Sequence, residues 1–355
     1  MTNQKKLEAM SAVYTYFFPE VRNLVHSTDH LNHELFLTTT PVEEAQKIVD
    51  SLNFRKKINV PSTLDGKVDL DLIHEPIVNR IAEIYETVVP GISDFQSRYF
   101  TSGSSEGIFH LLAELKAKGK DKIFTFGGEY EGYKEYGKTL GIKTEEVNLK
   151  RVRLSNLEKG VWFISNPSAR DGNIIGNDTI RKICDLGNEV FLDLAYVGST
   201  KKYKFDVSHE NIPAIFLSFS KPYGVFRFRM GFTFSRKPIN SLYANKWFKD
   251  VQRVLTALKI AEEVGPTGLY DKYKEKQSNI INQINQEYGL PVKPSDSILL
   301  GNIPESDSTN LSKLQRDLLS PYKRGDRHRL CLTPYYEELE NYEAQDGKLL
   351  QKPCK

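Results

Sequence analysis

The chain has 355 residues, of which 39% are apolar, 27% charged and 11% aromatic, an ordinary globular composition with room for one large domain, or for one large and one small domain. The 49 basic and 46 acidic residues are intermixed and leave a formal net charge of +3, so nothing points to a nucleic-acid partner or an acidic membrane surface. Because the three cysteines (184, 331 and 354) lack metal-ligand spacing and no apolar run has membrane-spanning length, we expect a soluble cytoplasmic protein without a metal site or disulfide.

Residues 7–54 favour helices and connectors. Apolar residues between positions 7 and 17 recur at roughly helical spacing, and Thr40 followed by Pro41 predicts a second helix with a hydroxyl cap and proline in its first turn. A further helix is predicted over residues 70–87, where isoleucines and leucines line one face. These segments carry no pattern with chemistry of its own.

From residue 97 onward, short apolar runs alternate with helical patterns. The runs lie at residues 98–101, 123–126, 161–164, 190–192 and 215–217. Continuous apolar residues indicate strands that are buried on both faces of a mainly parallel sheet. Such sheets bind their ligands at the carboxyl ends of the strands, so the residues that follow each run are the candidates for function.

The last third of the chain predicts a smaller domain. A helical pattern over 242–264 is followed by another helix, a strand near 298–300, a helix near 311–319 and a strand near 329–332. We therefore predict a large α/β domain over residues 55–245 and a small α+β domain formed by residues 1–54 and 246–355. The polar tail from residue 341 is expected to fray.

Four strand ends carry polar groups that suit chemistry, although each also has a plainer explanation. Lys221 is either a loop lysine or an amine that condenses with an aldehyde. The stretch Ser102-Gly103-Ser104 suits a phosphate monoester or merely caps a helix. Asp193 could pair with a protonated ring nitrogen, with Tyr196 and Asn166 donating to a ring oxygen, or all three could belong to turns.

Taken together, these groups answer the needs of one ligand, pyridoxal 5′-phosphate. Two motifs are specific: Asp-x-Ala-Tyr at residues 193–196, and Ser-x-Ser-Lys at 218–221, followed eight residues after the lysine by Arg-x-Gly. In these motifs the chain resembles the fold type I pyridoxal-phosphate-dependent aminotransferases of the aspartate aminotransferase superfamily, and more closely the histidinol-phosphate aminotransferase group. The resemblance covers residues 99–231 and is picked up again at Arg329.

The resemblance implies a fold and an assembly. The fold is a large domain with a mainly parallel seven-stranded sheet between helices, together with a smaller α+β domain. The assembly is a homodimer, and the substrates are an amino acid and a 2-oxo acid. Neither the segment that closes over the substrate nor the tyrosine that a second subunit lends to the phosphate can be found in the sequence.

The resemblance also implies roles at the ring of the cofactor. Lys221 would carry the cofactor as a Schiff base and move the proton of the substrate. Asp193 would pair with the pyridine nitrogen, and Tyr196 and Asn166 would donate to the phenolic oxygen. Tyr130 would stack on the ring, with Tyr133 as the alternative.

The remaining implied roles concern anions. The phosphate would be held by Ser102, Gly103 and Ser104 together with Ser218 and Arg229, because an arginine can bind phosphate through two hydrogen bonds. Arg227 would be an accessory or surface charge. The carboxylate of the substrate would be gripped by Arg329, or by Arg327, beside Asn166. Arg170 is expected to face solvent.

We therefore expect an aminotransferase that moves the amino group of a small amino acid to a 2-oxo acid. A decarboxylase, lyase or oxidase with the same cofactor is the first alternative, because the same electron sink serves all of these reactions. A protein that binds the cofactor without turnover is the second. The short N-terminal region has no evident helix-turn-helix motif, which disfavours a DNA-binding regulator.

Overall fold

The computed structural model describes residues 7–11, 16–31, 36–37, 39–148, 158–245 and 250–344. Its larger sheet has seven strands in the order β1-β7-β6-β5-β4-β2-β3. The strands are β1 (Ser97–Thr101), β2 (Lys122–Phe126), β3 (Lys143–Val147), β4 (Val161–Ser165), β5 (Glu189–Leu194), β6 (Ala214–Ser218) and β7 (Gly231–Ser235). Strands β2 to β6 run parallel and β7 is antiparallel to both its neighbours. This is the mainly parallel sheet that the resemblance implied.

The centre of this sheet is buried on both faces. Every residue of β4, β6 and β7 is buried. Their side chains are mostly large and apolar, as the continuous runs predicted, because a strand covered by helices on both sides has no solvent face. The buried rings of Phe163, Phe191 and Phe216 stack along one face.

The register of the sheet brings the ends of its strands together. Ser165 at the end of β4 lies beside Asp193 of β5. On the other side, Gly231 at the start of β7 lies between Ser218 of β6 and Thr101 of β1. The loops that follow β1, β4, β5 and β6 are far apart in sequence, but they leave the sheet close together at one edge.

Helices cover both sheets. They are α1 (Pro19–Ser27), α2 (Val42–Ser51), α3 (His74–Tyr85), α4 (Ser104–Ala117), α5 (Gly132–Leu140), α6 (Asn177–Asp185), α7 (Asn240–Ala244), α8 (Val251–Glu263), α9 (Gly268–Tyr288), α10 (Glu305–Ser308), α11 (Lys313–Leu319) and α12 (Thr333–Ala344). Helix α4 packs its buried Ile108, Leu111 and Leu112 toward β6 and β7. Helix α8 packs against α1 and α3. No helix of the described residues is long and apolar enough to cross a bilayer.

The smaller sheet is antiparallel and has four strands in the order β10-β11-β9-β8. These are β8 (Lys293–Pro294), β9 (Leu300–Ile303), β10 (Lys323–Arg324) and β11 (Arg327–Cys331). Met10 pairs with Cys331, so the N-terminal segment lies along the edge of this sheet. The N-terminal region thus packs onto the C-terminal third, although the predicted domain boundaries themselves stay a prediction.

Several predicted elements need correction. The hydroxyl cap of α2 was wrong: Pro41 occupies the N-cap position without a side-chain hydrogen bond, and Thr40 accepts from the backbone of Leu37 instead. The predicted helix over 242–264 is described as α7 and α8, and residues 246–249 between them lie outside the described residues. The helix predicted from the spacing of residues 7–17 was wrong: the described residues 7–11 and 16–17 are not helical, and Met10 forms a β-bridge with Cys331. Residues 341–344 of the predicted polar tail belong to α12, and the tail beyond residue 344 lies outside the described residues.

Candidate active site

A cavity of about 430 Å³ opens at the carboxyl ends of the central strands. Seven residues predicted from the sequence line it: Ser104, Tyr130, Tyr196, Ser218, Lys221, Arg229 and Arg329. They come from β6, from the loops after β2, β5 and β6, from the start of α4 and from the small sheet. The parallel strands deliver these groups to one edge because each chain segment turns after the same end of its strand.

Lys221 is half-buried on the turn after β6. Its Nζ lies 4.7 Å from the ring centroid of Tyr196 and 5.5 Å from that of Tyr130, so two aromatic faces flank the amine. The turn is held by the buried Tyr223, whose hydroxyl is 2.7 Å from that of Tyr85. Packing on the turn therefore fixes the backbone from which the lysine projects.

Asp193 is the second-to-last residue of β5, three positions before the cavity-lining Tyr196, and is only 2% exposed. Its Oδ2 accepts a hydrogen bond of 3.1 Å from the hydroxyl of Tyr133, whereas no donor of the described residues reaches Oδ1. Burial raises the pKa of Asp193, and the positive charge of Lys221 opposes that shift. An unsatisfied buried carboxylate oxygen is costly, so a cationic N–H donor placed there would gain a strong hydrogen bond.

The two candidate tyrosines have different positions. Tyr130 lines the cavity, whereas Tyr133 is fully buried in the first turn of α5, and the two rings meet edge-on at 5.4 Å. The sequence reasoning treated Tyr133 only as a rival for stacking and missed its hydrogen bond to Asp193. The two partners lie 60 positions apart in the chain, so no local pattern indicated this hydrogen bond.

The two predicted donors to a ring oxygen also differ. The hydroxyl of Tyr196 is buried and has no hydrogen-bond partner among the described residues. The amide of Asn166 makes two hydrogen bonds of 2.9 Å to the backbone of Ile175, one through Nδ2 and one through Oδ1. Asn166 does not line the cavity, so its roles toward the cofactor and the substrate stay predictions.

Arg229 lines the cavity and contacts the start of α4. Its Nη2 donates to the carbonyl of Ser102 and to Oγ of Ser105, both at 2.9 Å. Arg229 has a φ of 53°, a left-handed conformation that non-glycine residues rarely adopt and that often marks functional sites. Arg227 is exposed and does not line the cavity.

A glycine is required at the start of this cradle. Gly103, with a φ of 79°, precedes α4, and a Cβ there would lie 2.9 Å from Nη2 of Arg229. Ser102 is exposed and contributes its carbonyl, while Ser104 and Ser105 line the cavity. The cradle thus combines hydroxyls, a helix N-terminus and a guanidinium, which are groups that bind phosphate.

Arg329 is held by backbone carbonyls on two sides. It is 5% exposed; Nη1 donates to the carbonyl of Ala169 and Nη2 to that of Ser11 at 2.9 Å. Its buried Nε has no partner among the described residues. Because both ends of the fork are fixed, the guanidinium has a defined orientation at the cavity wall.

The rival arginines are neutralised elsewhere. Arg327 lies 3.3 Å from Asp171 and 3.8 Å from Asp326. Arg170 lies 3.5 Å from Asp171 and 3.7 Å from Asp326, so it joins an ion-pair cluster and does not simply face solvent as expected. Neither arginine lines the cavity.

Eight further lining residues had no role assigned from the sequence: Ser105, Glu129, Glu131, Tyr136, Ala169, Ser220, Phe226 and Arg324. Burial and the neighbouring charge of Arg329 lower the pKa of Arg324. Burial raises the pKa of Glu129 to about 7. Arg324 belongs to a strand of two residues, which is too short to leave a pattern, whereas Glu129 directly precedes the recognised Tyr130.

The residues present fit pyridoxal 5′-phosphate. The free Oδ1 of Asp193 suits a ring N–H, the unpaired hydroxyl of Tyr196 suits a ring oxygen, and the amine of Lys221 suits an aldehyde. The guanidinium of Arg229, packed against Gly103 beside the start of α4, suits a phosphate.

Known proteins share parts of this sequence and its fold. Residues 80–286, more than half of the chain, match the family model for aminotransferase class I and II. A chloroplastic histidinol-phosphate aminotransferase of Nicotiana plumbaginifolia is 38% identical over 88 residues, which are 24% of this chain and 21% of that protein. The histidinol-phosphate aminotransferase of Thermotoga sp. (strain RQ2) is 26% identical over 205 residues, which are 52% of this chain and 58% of that protein.

The chain therefore spans less than two thirds of the length of these curated relatives. Among solved structures, an aromatic aminotransferase from Pyrococcus horikoshii OT3 superposes with a TM-score of 0.62 at 14% identity, covering 97% of this chain and 96% of that one. Such a likeness confirms the predicted fold class.

Proposed function

Because this chain belongs to the aminotransferase class I and II family, we propose that it is a pyridoxal-phosphate-dependent aminotransferase. It would move the amino group of a small amino acid to a 2-oxo acid. One observation carries the proposal: an amine flanked by two aromatic rings lies in the same cavity as a phosphate-type cradle and interacts electrostatically with a buried carboxylate that has a free oxygen.

The cofactor, when bound, supplies an aldehyde that condenses with amines and a cationic ring that accepts electrons. Asp193 would accept the ring N–H on Oδ1, while the hydroxyl of Tyr133 holds Oδ2. A carboxylate at this buried position favours the positive charge on the ring, since ionic attraction is strong where water is excluded. Tyr196 would donate to the ring oxygen, and Arg229 with the start of α4 would bind the phosphate.

Lys221 would move the proton at the Cα atom of the substrate. Its amine projects into the cavity from a packed turn, as a general base must to reach a defined atom. The faces of Tyr130 and Tyr196 stabilise the ammonium that forms when the proton arrives. The same side chain can then return the proton to a neighbouring atom.

Arg329 would bind the carboxylate of the substrate. Its two Nη atoms are fixed by carbonyls, so the remaining N–H groups offer a carboxylate a preorganised pair of hydrogen bonds. Arg324 lies at the same cavity, and within the described part of the chain its one ion pair is long, 3.9 Å to the exposed Glu131. This second cation favours a substrate with a second anionic group, such as the side-chain carboxylate of aspartate or glutamate.

Titration of the reconstituted protein with single amino compounds tests the reaction type. The panel would contain alanine, aspartate, glutamate and histidinol phosphate, and the visible absorbance of the cofactor would be followed. We expect conversion to its amine form with a stoichiometric yield of 2-oxo product, and reversal by a 2-oxo acid. Carbon dioxide release or oxygen uptake would instead identify the alternative chemistries, and bound cofactor without any conversion would leave a binding protein.

The choice of substrate is tested by a matched pair of variants. Arg324→Gln should weaken the binding of compounds with two anionic groups and leave the binding of alanine unchanged. Arg327→Gln alters an arginine outside the cavity and should change the binding of neither kind of compound. We further propose a homodimer located in the cytoplasm, as the resemblance implies. Sedimentation of the protein with its cofactor tests the assembly, since a purely monomeric species would contradict it.

A further inference from the structure

Glu129 is a buried acid at the cavity wall that the chemistry above does not use. It is 7% exposed, and its carboxylate accepts three hydrogen bonds. The hydroxyls of Ser165 and Ser168 bind Oε2 and Oε1 respectively, and the backbone N–H of Ala169 binds Oε2 at 2.9 Å. All three donors lie within residues 165–169, which run from the last residue of β4 through the turn that follows it.

The same turn contacts the arginine that faces the substrate. Ala169 donates its N–H to Glu129 and accepts a hydrogen bond on its carbonyl from Nη1 of Arg329. A single residue therefore connects the buried carboxylate to the guanidinium. On its other side Arg329 is held only by the carbonyl of Ser11 among the described residues, through Nη2.

The loop that carries Glu129 is pressed against the small sheet. Gly128 has a φ of 80°, and a Cβ there would lie 2.8 Å from the backbone of Arg324 and Gly325. Glu129 is thus anchored at a junction of three segments: its own loop, the turn 165–169 and the turn between β10 and β11. A carboxylate at such a junction can hold the turn in place without moving itself.

A role as proton acceptor fits poorly, because both oxygens of Glu129 already receive donors. Simple core packing fits poorly too, since burial of a carboxylate is costly unless hydrogen bonds compensate it. The electrostatic neighbours of Glu129 are Tyr133 from α5 and Arg170 from the turn. The cations Lys221, Arg324 and Arg329 line the same cavity. The compensating donors all lie on the turn, so the hydrogen bonds are directed at that segment.

We propose that Glu129 is a positioning residue for carboxylate recognition: it fixes the turn 165–169, and through the carbonyl of Ala169 it sets the orientation of Arg329. This role rests on the proposed function only in taking the substrate carboxylate as the ligand of Arg329. Loss of the carboxylate charge leaves the turn held more weakly, and the guanidinium then samples orientations that do not match a bound anion.

The test compares two probes on the protein reconstituted with its cofactor. Succinate, measured by calorimetry, has carboxylates but no amino group, and n-butylamine, followed by cofactor absorbance, has an amino group but no carboxylate. Glu129→Gln keeps the size of the side chain and should lower the affinity for succinate roughly tenfold, which is the effect of about one lost hydrogen bond. The affinity for n-butylamine should stay within about twofold of that of the parent protein. Glu135→Gln makes the same change at an exposed position and should alter neither.

Ser168→Ala removes one donor to Glu129 and is the second variant in case the first does not fold. It should lower succinate affinity in the same selective way. Unchanged succinate binding in both variants, or equal weakening of both probes, would overturn the proposal. The proposed function is judged separately, because a protein that never transaminates can still show or lack this selective loss of carboxylate binding.

Discussion

Replacement of Asp193 by asparagine removes a buried negative charge while it keeps the size of the side chain. In the parent protein Oδ2 is held by Tyr133 at 3.1 Å and Oδ1 is free for a ring N–H. Loss of one partner from a buried charge pair costs about 3–5 kcal/mol. At 1.36 kcal/mol per factor of ten, turnover should fall roughly 10²- to 10⁴-fold.

The same substitution should not destabilise the cofactor-free protein. Burial raises the pKa of Asp193 above its ordinary value of 3.8, so the folded state holds the proton more tightly than the unfolded state does. Stability from this group is therefore present at low pH and is lost as the pH rises through the raised pKa. Asp193→Asn should be at least as stable as the parent at pH 7, and the difference should vanish as the pH falls below 4.

The assay is the single-turnover rate of the cofactor-loaded protein with its best amino donor, alongside thermal unfolding without cofactor at pH 4 and pH 7. Tyr133→Phe is the matched control, because it removes one hydrogen bond to Oδ2 and leaves the charge. Its loss should be smaller, roughly 10- to 100-fold. A rate for Asp193→Asn within threefold of the parent, with cofactor fully bound, would refute the role given to this carboxylate.

Three other changes have defined outcomes. Gly103→Ala should weaken cofactor binding at least tenfold in a fluorescence titration, because the added Cβ would press on Arg229. Gly119→Ala is the control: its φ of 76° is similar, but no atom lies within 4 Å of the added Cβ, so the change should cost only about 1 kcal/mol of stability. Arg329→Lys should raise KM for the amino donor roughly 10- to 100-fold, whereas Arg327→Lys should leave KM within threefold. Burial raises the pKa of Glu129 from 4.5 to about 7, so the folded state binds this proton more tightly than the unfolded state does. The free energy of unfolding of the cofactor-free protein, measured in urea, should therefore fall by about 3 kcal/mol as the pH rises from 4.5 to 7, and Glu129→Gln should remove most of this pH dependence. Equal loss of cofactor affinity in Gly103→Ala and Gly119→Ala would contradict the first expectation, and equal KM changes in Arg329→Lys and Arg327→Lys would contradict the second. The third would be contradicted if Glu129→Gln left the pH dependence of stability unchanged.

The positions of residues at strand ends could be predicted, because parallel strands place their carboxyl ends at the same edge of the sheet. Lys221, Asp193 and Tyr196 each follow a run of apolar residues, and parallel strands bring such positions to one edge. Arg229 was selected by its spacing from the lysine, and the structure places it at the cradle while Arg227 stays exposed. Local pattern and topology suffice for these groups.

Contacts between distant segments could not be predicted in this way. Nothing near Glu129 in the sequence indicates that its partners are Ser165 and Ser168, which are brought to it by the pairing of β2 with β4. Likewise, the two hydrogen bonds that tie the Asn166 amide to Ile175 depend on how the following loop folds back. Arg324 enters the cavity from the small sheet, whose placement no local pattern encodes.

The covalent attachment site of the cofactor tests the central claim most directly. The protein would be incubated with pyridoxal 5′-phosphate, reduced with borohydride, digested and mapped by mass spectrometry. We predict one cofactor per chain, attached at Lys221, and loss of the label in Lys221→Arg. A label distributed over exposed lysines, or stoichiometric label at a different lysine, would contradict the assignment of this cavity as the active site.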